Sequence, residues 1–149
     1  MNIAFFNCSN EILIDLLQRD LIKSNYWRGN EYDIYRCYYI YDIDTSFFLG
    51  VVQLTLNNYS NNKRYAYVDM IEVCSNIRYN GYGKAIIEAI FRQFNLVTIY
   101  GEAIPNAIEF WYKIGADFEM SKAELNRYYN ENLSACFKLK KSRFMKKMR

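Results

Sequence analysis

The 149-residue chain contains no histidine. That removes the Ser–His and Cys–His pairs that activate most covalent nucleophiles. Its four cysteines, Cys8, Cys37, Cys74 and Cys136, form no C-x-x-C pair. Without histidine or paired cysteines no metal site is expected, and the thiols read as buried and reduced. No apolar run approaches the length of a membrane span, so no membrane partner is expected. The opening residues, MNIAFF, lack the basic region of a secretory signal, so the expected location is the cytoplasm. There is no internal repeat and no low-complexity linker. Acid–base chemistry is left to Asp, Glu, Tyr, Cys, Lys, the backbone or water.

What is present is apolar and aromatic. The chain is 52% hydrophobic and 18% aromatic, which excludes a disordered composition and allows one domain with a real core. Charge is uneven. The whole chain is +3, while residues 138–149, KLKKSRFMKKMR, carry seven basic and no acidic residues, so the rest is −4. Residues 1–140 therefore read as the domain and 141–149 as a basic tail. The tail reads first as a frayed, solvated end. The other reading is contact with nucleic acid, a ribosome or an acidic partner.

In chain order, residues 2–8 read as a strand. Residues 11–24 read as a helix with Leu13, Leu16, Leu17 and Leu21 on one face, behind a Ser9 or Asn10 cap. Tyr26 and Trp27 lie in a loop. Residues 32–42 and 46–57 read as an antiparallel hairpin, and 57–63 as a polar loop. Residues 67–73 read as a central strand. Strict alternation places Ala66, Val68, Met70 and Glu72 on one face, and Tyr67, Asp69, Ile71 and Val73 on the other.

After this strand comes a turn, RYNGYG at 78–83, and then a helix with Ile87, Ile90, Phe91 and Phe94 on one face. A helix start leaves backbone N–H groups without partners, and its dipole adds positive charge. Gly81 and Gly83 let an anion approach the backbone, and Arg78 and Lys84 add full charges. Together they suit a phosphate or pyrophosphate. Residues 96–101 read as a strand parallel to the central one. Pro105 opens a helix that Gly115 closes. Residues 117–121 read as a strand, 122–130 as a polar connection, and 134–140 as the last strand. Asp69 is the polar exception among the apolar residues of its strand face. It reads either as a desolvated general base or as a carboxylate paired for structural reasons.

Strand, R-x-x-G-x-G, then helix, with AIEFWYKIGA following at 107–116, resembles the GNAT family of N-acetyltransferases. The resemblance implies an α/β (α+β) fold: a mixed, mostly antiparallel sheet of six to seven strands. Its central parallel pair splays, and helices cover both faces. It implies acetyl-CoA as co-substrate and an amine acceptor, small molecule or peptide, in a monomer or dimer. Arg78, Asn80, Gly81, Tyr82, Gly83 and Lys84 would cradle the pyrophosphate. Ile71, Val73, Asn106 and Trp111 would line the rest of the cofactor. Asp69 or an ordered water would be the base, and Tyr26 and Trp27 would either line the acceptor pocket or simply cover the core edge. The family's acidic Tyr is replaced by Trp111, so either the thiolate leaves without a Tyr acid, or Tyr112 or another Tyr substitutes, or activity is weak. A fold that keeps CoA binding with little or no catalysis is the alternative.

Overall fold

A long hairpin of β-branched and aromatic residues forms the middle of the sheet. β2 (Arg36–Asp42) and β3 (Phe47–Asn58) pair antiparallel, and the turn between them is held by Asp42. Its carboxylate accepts hydrogen bonds from the backbone N–H of Asp44 at 3.2 Å and of Asn2 at 3.3 Å. β1 (Ile3–Asn7) adds to β2 at one edge, and β4 (Arg64–Val73) adds antiparallel to β3. The computed structural model describes residues 1–23, 36–58, 64–74 and 81–148.

α2 (Tyr82–Gln93) crosses over from β4 to β5 (Thr98–Ala103), which pairs parallel to β4. β6 (Ala135–Lys140) returns antiparallel to β5. The order is β1-β2-β3-β4-β5-β6, with β4 and β5 as the parallel pair.

Helices cover both faces. α1 (Asn10–Gln18) starts at Ser9, whose hydroxyl accepts from the Ile12 N–H at 3.2 Å, a side-chain cap. It buries Leu13 and Leu16 against Cys8, Cys37 and Val51. It ends earlier than its periodicity suggests, at Arg19, with Asp20 in the left-handed region at φ 56°. The opposite face carries α2, whose Ile86, Ile87, Ala89, Ile90 and Phe91 are buried. A 3-10 turn (Pro105–Ala107) leads there into α3 (Ile108–Lys113), which contributes Ile108 and Trp111 to the same core.

Three expected elements differ. Residues 117–121 make a single bridge, Asp117 to Lys138, and no strand, so the sheet has six strands among the described residues. The polar stretch after it is a helix, α4 (Lys122–Asn130). Ser121 accepts from the Glu124 N–H at 3.2 Å, and Leu125 is the buried anchor. The stretch read as a frayed end is α5 (Lys141–Lys147). Its Phe144 is fully buried and lies 5.6 Å from the Phe91 ring, inside the main core. Phe144 is the buried anchor of this otherwise basic segment.

Candidate active site at the gap between β4 and β5

The parallel ladder is short. It runs from Tyr65 paired with Thr98 to Val68 paired with Gly101 and then stops, although β4 continues to Val73 and β5 to Ala103. β3 stays paired with β4 throughout, ending at Gly50 opposite Val73. The cause is in the β3–β4 register. Gln53 faces Met70 and Leu54 faces Val68, so Asp69 is an extra residue in β4. Such a bulge bends its strand and re-aims a side chain.

The bulge also corrects the strict alternation. Ala66 and Val68 belong to the α2-side core, and Ile71 and Val73 pack against it too. Met70 packs on the α1 side instead. Glu72 has an oxygen that accepts from the Lys23 N–H at 2.6 Å. The phase of the strand therefore flips at Asp69, and Ile71 and Val73 do not share its face.

Asp69 is half-buried, and its Oδ2 accepts from the Thr55 hydroxyl at 2.8 Å. Burial pushes its carboxyl above the ordinary carboxylate range, against the smaller opposing effect of the Thr55 hydrogen bond. Among the described residues it makes no ion pair. Beside it is Tyr67, whose hydroxyl is pushed up by burial and then by Cys136, Glu102 and Asp69. A neutral phenol thus sits next to carboxylates. Glu102 was not among the expected site residues. The signal was available in β5, where Thr98, Tyr100 and Glu102 alternate with Ile99, Gly101 and Ala103.

Beyond the gap lies the start of α2. Gly81 is its N-cap at φ 81°, a left-handed conformation that suits glycine, and a Cβ there would meet open space. Ser9 and Ser121 cap α1 and α4 with their side chains, whereas α2 has no side-chain cap and no acid in its first turn. Among the described residues no side chain caps the N–H groups of this turn, an arrangement that suits an anion. Tyr82 is half-buried against the α2-side core, and Lys84 is exposed. Gly83 has a second reason to be glycine: a Cβ would come within 3.0 Å of the Phe110 ring on α3. Arg78 and Asn80, and also Tyr26 and Trp27, lie outside the described residues.

Further along, Asn106 is exposed in the 3-10 turn. Trp111 is only 4% exposed and stacks on Phe137, with ring centroids 4.2 Å apart and an interplanar angle of 25°. Its ring is a core element. Tyr112 is 45% exposed, and its ring contact is the Lys122 ammonium, 6.0 Å away. Asp69, Tyr67 and Glu102 are brought together; Tyr112 is on α3, which packs into the α2-side core through Ile108 and Trp111. Among the described residues no three of Cys, Asp and Glu are grouped to hold a metal ion.

No protein-family model and no curated protein sequence matches the chain. Solved structures do. Arabidopsis thaliana Naa50, in complex with the bisubstrate analogue CoA-Ac-MVNAL, superposes with a TM-score of 0.59 at 14% identity. The match covers 93% of this chain and 99% of that one. Mutant forms of the spermidine/spermine N-acetyltransferase SpeG from Vibrio cholerae superpose at 0.60 with 16% identity, covering 99% of each chain. AtaTR bound with acetyl-CoA superposes at 0.58 with 12% identity, covering 99% and 98%. With near-complete coverage of each chain, a six-stranded mixed sheet and one parallel pair, β4 and β5, the chain has the fold of the GNAT N-acetyltransferases.

Proposed function

We propose that the chain is an acetyl-CoA-dependent N-acetyltransferase that moves an acetyl group directly to an amine. The observation that carries this is the gap between β4 and β5, with the bulged Asp69 carboxylate at its mouth and the uncapped start of α2 beyond it. The start of α2 suits the pyrophosphate: its N–H groups and Lys84 attract the anion, and Arg78 and Asn80 complete the turn in sequence. The gap admits the thioester arm past Ile71 and Val73. Backbone N–H on the opened stretch of β4 near Val73 polarises the thioester carbonyl.

The reaction then balances simply. The acceptor arrives as an ammonium and loses a proton to Asp69, directly or through water. Its lone pair attacks the carbonyl carbon, the C–N bond forms, and the C–S bond breaks. The nitrogen sheds its second proton as the thiolate leaves, and water relays that proton to the thiolate, since the indole of Trp111 is no proton donor at neutral pH. A raised carboxyl suits the base because it lies closer to neutral pH than an ordinary aspartate. The solved neighbours support amines as acceptors: one carries a peptide-like bisubstrate analogue, another is a spermidine/spermine acetyltransferase.

A second reading rests on Trp111. A Trp where the family has an acidic Tyr supplies no proton, and a CoA-binding module with weak or no catalysis would tolerate that. The two separate in one assay: release of free thiol from acetyl-CoA with a panel of amines, beside calorimetry with CoA. Turnover with any amine supports the enzyme. Tight CoA binding without thiol release supports the module. No helix among the described residues is long and apolar enough to cross a membrane, and we place the protein in the cytoplasm.

A further inference from the structure

The face of β4, β5 and β6 on the side of α1 carries a pattern that CoA does not use. α1 is the helix on this side among the described residues, and its packing reaches no farther than Met70 of β4. The pairing places side chains in two rows. Tyr67, Tyr100 and Lys138 stand side by side in the first, from Tyr67 opposite Tyr100 and Tyr100 opposite Lys138. Glu102 and Cys136 stand side by side in the second, and Asp69 ends this row on β4, next to the gap.

Adjacent strands lie about 4.8 Å apart, and same-face residues along a strand about 6.5–7 Å apart. The two rows are thus one short alkyl stem apart. The first is aromatic and accessible: Tyr67 is 38% and Tyr100 36% exposed. The Tyr100 ring lies 5.6 Å from the Tyr65 ring at an interplanar angle of 77°, extending the aromatic row on this face. The second row is acidic. Glu102 is exposed and makes no ion pair among the described residues.

We propose that Tyr67, Tyr100 and Glu102 form the acceptor subsite, taking a primary ammonium on a single apolar stem and disfavouring long polycations. This rests on the N-acetyltransferase reading. Asp69 and Glu102 hold the ammonium at the mouth of the gap, where the thioester carbonyl lies. The stem lies over the Tyr67 and Tyr100 rings, burying apolar area and adding cation–π attraction within about 6 Å of a ring. Lys138 sets the limit. It flanks Tyr100 where a second ammonium of a polyamine would lie, and like charges there repel.

The test uses the full-length protein with three probes: 2-phenylethylamine, ethanolamine and spermidine. Amine binding is read by ligand-observed NMR without acetyl-CoA, turnover by thiol release, and CoA affinity by calorimetry. 2-Phenylethylamine should bind tightest. Glu102→Gln should weaken it roughly ten- to hundredfold, the loss of one charge-assisted contact, with CoA affinity unchanged. Tyr100→Ala should weaken 2-phenylethylamine and leave ethanolamine nearly unaffected. Lys138→Ala should admit spermidine. Spermidine binding wild type better than 2-phenylethylamine, or a folded Glu102→Gln protein binding amines as wild type does, would overturn the subsite. Glu102-dependent amine binding without thiol release would keep the subsite and remove the transferase reading instead.

Discussion

Phe144→Ala is the sharpest structural perturbation, because it separates a docked helix from a loose basic end. Phe144 is fully buried, its ring is 5.6 Å from Phe91, and it belongs to the same core as the sheet and α2. α5 is also tied by backbone, with the Lys141 N–H donating to the Val97 carbonyl at 2.9 Å. Truncating a core Phe to Ala costs about 3–5 kcal/mol, part lost transfer energy and part cavity. In a chain of this size each kcal/mol is worth roughly 2–4 °C, so the midpoint should fall by about 10 °C. Thermal unfolding followed by circular dichroism measures this. Arg143→Ala in the same helix is the control, since an exposed side chain should cost within about 0.5 kcal/mol. If Phe144→Ala melts within 2 °C of wild type, at the scale of the control, the helix is not docked and the reasoning fails.

Other outcomes follow from the same geometry. Trp111→Tyr puts a hydroxyl into the core beside Phe137, so stability should drop by about 1–3 kcal/mol without a gain in turnover; paired melts and steady-state rates check it. Lys84→Glu reverses an exposed charge at the start of α2, so CoA affinity should fall about tenfold or more at low salt and recover partly at high salt, by calorimetry. Ser121→Ala removes the α4 cap and should cost about 1 kcal/mol, or roughly 3 °C in a melt.

Much of this fold is legible in the sequence because its signals are local. The apolar run at 67–73, the glycines at 81 and 83 and the period of Ile87, Ile90 and Phe91 set the β4–α2 unit. Pro105 and Gly115 bracket the segment that contains α3. The bulge at Asp69 is not legible, because it comes from how β3 and β4 register against each other and no glycine marks it. Strict alternation then misplaces Ile71 and Val73, though it assigns Asp69 to the side away from Ala66 and Val68. α4 escapes notice because it is almost wholly polar, with Leu125 alone buried, although Ser121 and Glu124 hold capping-box positions. Phe144 has only Met145 and Met148 as apolar companions among cations, so its docking shows only in three dimensions. Glu102 is overlooked for a different reason: β5 alternates plainly, but its open face becomes a site only beside Tyr67 and Asp69.

The most direct test of the central claim is the pH dependence of turnover in wild type and Asp69→Asn. Asp69 must be ionised to accept a proton, and its carboxyl is raised by burial. Wild-type turnover at limiting amine should therefore fall as pH drops through a value above the ordinary carboxylate range. Asp69→Asn should lose that limb and lose on the order of 10²–10⁴-fold in rate, while CoA affinity stays intact. An Asp69→Asn protein with full turnover and an unchanged pH profile would contradict the account.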